Sequence, residues 1–260
     1  MTTHAVIPDG QVQPNTPLDH WSWAGEYLAY KKPDTIINIG DFADMKSLSQ
    51  YDVGKKSYEG RTYLEDIQVA DYAMSLFMTP ILKEIKRLKN NKKAQWNPRL
   101  VLTLGNHENR IDRAIESDRK LEGTISVKDL NYEKWGWEVI PYLQPIIIDG
   151  VCYAHFFTSG SMGRPVASAR ALSTKKHQSC IMGHCPQTEI DMSQVRADGT
   201  PIISIFAGVY YQHDEDYLGP QGNPAHRQIW MLHEVKDGFF YAMPVSINYL
   251  ANRYSGKTGN

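Results

Sequence analysis

The feature that most constrains this chain is a junction that recurs along it: a short apolar run breaks off with a glycine and a polar side chain side by side. AVIPDG breaks at Asp9, TIINIGD at Asp41, LVLTLGNHE at Asn106 and His107, and SCIMGH at His184, while CYAHFF carries His155. Runs rich in Ile, Val and Leu with little polar alternation predict strands covered on both faces. In an α/β sheet, ligands bind beyond the carboxyl ends of the strands, so these polar groups are expected to converge. Glycine at the break lets the backbone turn sharply and approach whatever is bound.

The expected strands are His4–Pro8, Thr35–Gly40, Leu100–Leu104, Ile146–Phe156, Ser179–Gly183, Ile202–Ala207, Ile229–Val235 and Phe239–Val245. Between the second and third lies the clearest helix, from Glu65 to Lys89. Its apolar residues Ile67, Ala70, Met74, Phe77, Ile81, Ile85 and Leu88 recur at three- and four-residue steps and form one buried stripe. A shorter helix, Leu18 to Tyr30, joins the first two strands. The first half therefore reads β-α-β-α-β, which predicts a layered α/β fold around a mixed sheet.

With 260 residues, 42% of them hydrophobic, the chain suits one large domain with a proper core. We expect it over residues 1–251, followed by a polar, frayed tail over 252–260. A net charge of −1 gives no global field toward nucleic acid or membrane, so such a partner needs a local patch. Three cysteines without C-x-x-C spacing argue against a disulfide framework or a zinc knuckle and favour a reducing compartment. MTTHAVIPDG does not read as a signal peptide, and no run approaches the roughly 20 apolar residues of a membrane span. A cytoplasmic location is the expectation.

Carboxylates, an amide oxygen and imidazoles gathered at strand ends describe a site for divalent cations such as Mn²⁺, Mg²⁺, Fe²⁺ or Zn²⁺. A carboxylate such as Asp41 is able to bridge two ions about 3.5–4 Å apart. Each residue alone has a plainer reading: an Asp at a strand end caps a turn, and a lone His beside an apolar strand is a satisfied core residue. The joint pattern of GD-x-x-D, GNHE and G-H, in that order at strand ends, is hard to reach by accident.

The segments GDFAD, GNHENR and GHCPQ, with PDGQ in front and AHF between, resemble the calcineurin-like metallophosphoesterase superfamily. GDFADMKSLSQYD and DEDYLGPQGN resemble its bacteriophage-encoded branch, which implies a host-cell cytoplasm. The superfamily resemblance implies a four-layer α/β sandwich of mixed sheets and a dinuclear centre that hydrolyses phosphate esters. It implies that Asp9 binds one metal, that Asp41 bridges both, and that Asn106, His155 and His184 complete the second. His107 would be the general acid oriented by Asp44. Arg110 would hold a phosphate oxygen, or else pair with Glu108 or Asp112 at a helix terminus.

Two departures fall on the same metal. The family has histidine where this chain has Gln11, and a second histidine two residues after His184, where Pro186 stands between Cys185 and Gln187. Amide oxygens from Gln11 and Gln187 in place of imidazoles favour harder ions such as Mg²⁺ or Mn²⁺, whereas a Cys185 thiolate would reverse that preference. One or two ions per chain are expected, Mn²⁺ foremost, with Mg²⁺, Fe²⁺, Zn²⁺ or Ni²⁺ as alternatives.

Four further stretches are weighed with their plainer alternatives. The loop FTSGSMGRPVASAR, with Arg164 and Arg170, reads as a phosphate cradle or a mobile loop. VYYQHDEDYLGPQGNPAH, with His213, Asp214, Glu215, Asp216 and His226, lines a substrate cleft or is a solvated acidic loop. KEIKRLKNNKK reads as a solvated helix end or a nucleic-acid patch. The insert between Asp44 and Glu65 mixes Tyr51, Tyr58 and Tyr63 with Lys55, Lys56 and Arg61, a surface suited to stacking bases and holding phosphate.

Taken together, the sequence predicts a phosphoesterase acting on nucleotides, nucleic-acid ends or a cyclic nucleotide, without a membrane partner. The rival is a fold that has lost one metal and binds nucleic acid or protein without catalysis.

Overall fold

The computed structural model describes residues 1–50, 54, 59–160, 162–214, 219, 223 and 225–256. Strands β1 (Thr2–Ile7), β2 (Thr35–Asn38), β3 (Arg99–Thr103) and β4 (Glu138–Ile140) are joined side by side by parallel pairing. Antiparallel β12 (Gln228–Lys236) and β13 (Phe239–Ser246) extend this first sheet beyond β1, giving the order β13-β12-β1-β2-β3-β4. The second sheet has the order β10-β11-β9-β6-β5, from β5 (Ile146–Ile148), β6 (Val151–Ala154), β9 (Cys180–Met182), β10 (Thr188–Val195) and β11 (Pro201–Ala207). Its central strands β6, β9 and β11 are parallel. A short ribbon, β7 (Thr158–Ser159) with β8 (Arg164–Pro165), stands apart.

Side chains alternate across a strand, and here both faces are apolar. Ala5, Ile7, Ile36 and Leu102 face helices α1 (Asp19–Lys31), α2 (Tyr63–Asn90) and α5 (Ile247–Tyr254). Their neighbours Val6, Ile37 and Val101 face the other sheet, against Val151, Tyr153, Ile181 and Ile205. The outer face of the second sheet carries Cys152, Ala154, Cys180, Met182 and Phe206 beneath α4 (Ala169–Lys176). The result is the expected four-layer α/β sandwich, and burial of each Ile or Val in it contributes about 1.5–3 kcal/mol. No helix among the described residues is long and apolar enough to cross a membrane.

Several elements differ from expectation for local reasons. The run Ile146–Phe156 is two strands, because Asp149 and Gly150 both adopt positive φ (49° and 84°) and close a β5–β6 hairpin. Strand β10 escapes a hydrophobicity reading because it is a sheet edge with Ile190, Met192 and Val195 exposed. Helix α2 is capped by Thr62, whose side chain accepts from Glu65 N, and runs to Asn90 through Pro80. The ordered chain also reaches past residue 251, since α5 continues to a buried Tyr254. Residues 257–260 of the expected tail lie outside the described residues.

Helix α1 crosses α2 at Gly25, where an added Cβ would stand 2.2 Å from the Phe77 carbonyl oxygen. Alanine normally stabilises a helix interior by roughly 0.5–1 kcal/mol over glycine. Here overpacking against backbone, about 1–3 kcal/mol, reverses that sign. Gly25→Ala is therefore expected to lower the denaturant midpoint; a raised midpoint would refute the contact.

His20 of α1 is buried between Trp21 and Tyr210, and neither ring nitrogen has a hydrogen-bond partner among the described residues. Burial, reinforced by His213, pushes its pKa down from 6.5 to about 3. The fold thus holds the ring neutral: its contribution is complete above pH 6.5 and is lost as pH falls toward 3. Denaturation at neutral pH and at about pH 5 should show a wild-type loss of up to ~1.4 kcal/mol per pH unit beyond that of His20→Phe. Identical slopes would contradict this assignment.

Candidate metal centre

The strand ends of both sheets meet at one edge of the sandwich. Asp9, just beyond β1, bridges to Val209 after β11, and Tyr210 N donates to the Asp9 carbonyl at 2.8 Å. Asp41 and Asp44 follow β2, and Asn106 and His107 follow β3. His155 and His184 follow β6 and β9, with Gly183 N donating to the His155 carbonyl at 2.9 Å. The approach is so close that a Cβ on Gly105 would stand 2.0 Å from Asp41 Oδ1. Gln11, Asp41 and His184 all take positive φ (40°, 50° and 65°). Such a cluster of non-glycine residues in an uncommon backbone region is characteristic of functional loops.

Asp41, His155 and His184 each place a ligand atom within 4.8 Å of the others. Asn106 Oδ1 lies among them, 2.8 Å from His155 Nε2 and 2.8 Å from His184 Nδ1. Asp41 Oδ2 is 3.2 Å from His155 Nε2. His155 Nδ1 donates to the Ile39 carbonyl at 3.1 Å, which turns Nε2 toward the cluster. Two imidazoles, a carboxylate and an amide oxygen are a donor set that fits one divalent cation.

The charges of the cluster are balanced by protons. Burial works against ionised Asp41, but the fields of His107 and His155 outweigh it and hold the carboxyl below its usual range. Burial likewise opposes a charged His155, yet Asp41 and Asp9 push it up to about 9. Burial, helped by His155, brings His184 down to about 4. An anionic carboxylate beside a protonated imidazole is an arrangement in which a cation is able to take the proton's place.

The other expected metal position is less complete. Asp9 is buried, and both its oxygens accept from His184 N at 3.0 Å. Burial pushes its carboxyl up to about 7 against the pull of His155. Gln11 Oε1 is buried with no hydrogen-bond partner among the described residues, an orphan acceptor of the kind a cation satisfies. Asp9 does not join the tight cluster of Asp41, His155 and His184. Burial, with the Asp9 and Glu189 charges, pushes the Cys185 thiol up to about 11, which disfavours a thiolate, and Gln187 is exposed.

Beside the cluster, His107 Nδ1 lies 2.6 Å from Asp44 Oδ1, and His107 N donates to Asp41 Oδ1 at 2.8 Å. Burial opposes its protonation, but Asp41 and Asp44 raise the His107 pKa. Arg110 opens α3 (Arg110–Ser117) and pairs with neither Glu108 nor Asp112. Its Nη1 donates to the Asp44 carbonyl at 2.6 Å and to Asp44 Oδ1 at 2.9 Å, and its Nη2 is 3.2 Å from His107 Nε2.

Glu108 is the residue whose role the sequence reading missed. It is fully buried, and its carboxylate accepts from the backbone N–H groups of Asp41 (3.0 Å), Ala43 (3.0 Å) and Gly105 (2.9 Å) and from the Tyr132 hydroxyl (3.2 Å). Its place beside His107 was a signal, but nothing local reveals partners on another loop.

The remaining expectations fare unevenly. Tyr63 is taken up by structure, its hydroxyl donating to Asp129 Oδ2 at 2.7 Å, and Arg61 donates to the Lys46 carbonyl at 3.2 Å. Tyr51, Lys55, Lys56 and Tyr58 lie outside the described residues, as do Glu215 and Asp216. Asp214 is paired with Arg227 at 2.5 Å. Arg164 on β8 and Arg170 in α4 are both exposed, and in the basic helix end Glu84 pairs with Arg87 and Lys32.

No family model matches the chain, and neither does any curated protein. Among solved structures it is similar to a conserved uncharacterized protein, a predicted phosphoesterase, from Streptococcus pneumoniae TIGR4. The likeness has 11% identity and a TM-score of 0.34, over 94% of this chain and 98% of that one. The functional reading therefore rests on the chain's own geometry, an α/β sandwich with a buried carboxylate–imidazole cluster at its strand ends.

Replacing Glu108 by Ala orphans three backbone donors in a buried loop, each worth about 1–3 kcal/mol. Its unfolding free energy is expected to fall by at least ~3 kcal/mol, and Glu108→Gln, which keeps an oxygen acceptor, by less. Equal and small losses in both, measured by denaturant titration, would show that the carboxylate does not hold the loops.

Proposed function

We propose that the chain is a metal-dependent phosphoesterase of the calcineurin-like kind, acting on nucleotides or nucleic-acid ends. The observation that carries this reading is the convergence of Asp41, His155 and His184 around Asn106 Oδ1, with the Asp44–His107 pair alongside. A cation would be held by Asp41, Asn106, His155 and His184, with Asp9 and Gln11 as donors to a weaker second one. When bound, divalent cations neutralise phosphoryl oxygens and lower the pKa of water.

The chain's own groups supply the rest. Asp44 fixes the His107 ring through Nδ1, which leaves Nε2 to deliver a proton to the departing ester oxygen. Arg110 fastens Asp44 with one nitrogen and keeps the other beside His107 Nε2, where it is placed to meet a phosphoryl oxygen. Mn²⁺ or Mg²⁺ fits the Asp9–Gln11 side, whose oxygens are hard donors.

The test is hydrolysis of bis(p-nitrophenyl) phosphate and p-nitrophenyl phosphate by metal-stripped protein, with Mn²⁺, Mg²⁺, Zn²⁺ or Ni²⁺ titrated back and binding followed by calorimetry. Turnover should require metal and fall by about 10²–10⁴-fold in His107→Ala, with metal binding retained. In Asp41→Asn, metal binding itself should weaken. The diester-to-monoester ratio separates nuclease from nucleotidase chemistry. Metal binding without turnover on any ester would instead favour a binding module for nucleic acid or protein.

A further inference from the structure

Two of the cysteines stand side by side at the centre of the second sheet. Cys152 of β6 and Cys180 of β9 are register partners on adjacent parallel strands, and both thiols are free. Adjacent strands lie about 4.8 Å apart, inside the Cα separation of about 4.4–6.8 Å that a disulfide spans. Equal register also puts both side chains on the same face, the outer one, against Ala154, Met182 and Leu172 of α4.

The pair is asymmetric in a way that assigns roles. Cys152 is 7% exposed and Cys180 1%, so a small reagent meets Cys152 first. Burial opposes ionisation of both thiols, while the Lys176 charge of α4 favours a thiolate on the pair. The more exposed sulfur, Cys152, is thus placed to attack and the deeper Cys180 to resolve it.

We propose that Cys152 and Cys180 are a redox pair that a small peroxide converts into a disulfide linking the two strands. The Cys152 thiolate attacks a peroxide oxygen, the O–O bond breaks, and the departing hydroxide takes a proton and leaves as water. This puts a sulfenic acid on Cys152. The Cys180 sulfur then attacks the Cys152 sulfur, the S–O bond breaks, and hydroxide leaves with the Cys180 proton as a second water. Two thiols lose two electrons in all, and one peroxide is reduced to two waters. A thiol reductant restores the starting state by exchange.

The position of the bridge gives it a consequence. Cys152 precedes His155 by three residues and Cys180 precedes His184 by four, so the bond would tie the two strands that deliver the paired imidazoles. That consequence rests on the phosphoesterase reading, whereas formation of the bridge does not.

The experiment treats the full-length native chain with hydrogen peroxide, alkylates it under denaturing conditions, and reads intact mass and peptide map. Wild type is compared with Cys152→Ser, Cys180→Ser and Cys185→Ser. The expected result is loss of two alkylatable thiols per chain, a cross-linked peptide containing Cys152 and Cys180, and full reversal by dithiothreitol. The bridge should persist in Cys185→Ser and be absent from the other two variants. Three thiols still alkylated after peroxide treatment would overturn the proposal. So would oxidation confined to Cys185, or a Cys152 that advances to sulfinic acid unbridged. Mass carries no contribution from metal or turnover, so this outcome is separable from success or failure of the phosphoesterase reading.

Discussion

The site depends on one buried carboxylate. Glu108 gathers the N–H groups of Asp41, Ala43 and Gly105, which belong to two loops leaving adjacent strands, and takes a hydroxyl from Tyr132 as well. Burial and the neighbouring Asp41 charge push its carboxyl up, while the Ala43 and Gly105 N–H bonds pull it back down. An acceptor that satisfies three donors fixes the backbone, and the backbone then fixes Asp41. Without it, the polar loops of a buried site would have no interior partner and would open to water.

The two-sided strands provide the frame for that clasp. Because Val6, Ile37, Val101, Tyr153 and Ile181 all fill the space between the sheets, the strand ends cannot slide against one another. Carbonyl and amide contacts then join the sheets at their carboxyl edge, from His155 to Ile39 and from His184 to Asp9. The electrostatics follow from enclosure. Asp41, His155 and His107 are close enough for mutual attraction to exceed the cost of burial, so the charged forms persist away from water. Asp9, with weaker compensation, is pushed the other way.

Much of this was legible from the sequence, and the reasons are local. The apolar runs ending at Asp41, Asn106 and His184 predicted strands, and the glycines predicted the close turns. The three- and four-residue apolar period located α2, Pro80 notwithstanding. The reading faltered where local chemistry was silent or double-edged. Asp149–Gly150 inside a long apolar run is a hairpin turn rather than a pause in one strand. Tyr63, read as a base-stacking aromatic, spends its hydroxyl on Asp129 and anchors the start of α2.

By itself the sequence determined most of the strands, the long helix α2 and the residue types available at the strand ends, because hydrophobic period and turn chemistry act over a few neighbouring residues. Tertiary structure alone decided which of those residues meet. Glu108 stands next to His107 yet serves Asp41 and Ala43; Arg110 passes over Glu108 and Asp112 to hold Asp44. Cys152 and Cys180 have no telling spacing, yet they are partners across two strands. The physical reason is the same in each case: such pairings are set by strand register and loop path, which are settled by packing of the whole core and leave no trace in local composition.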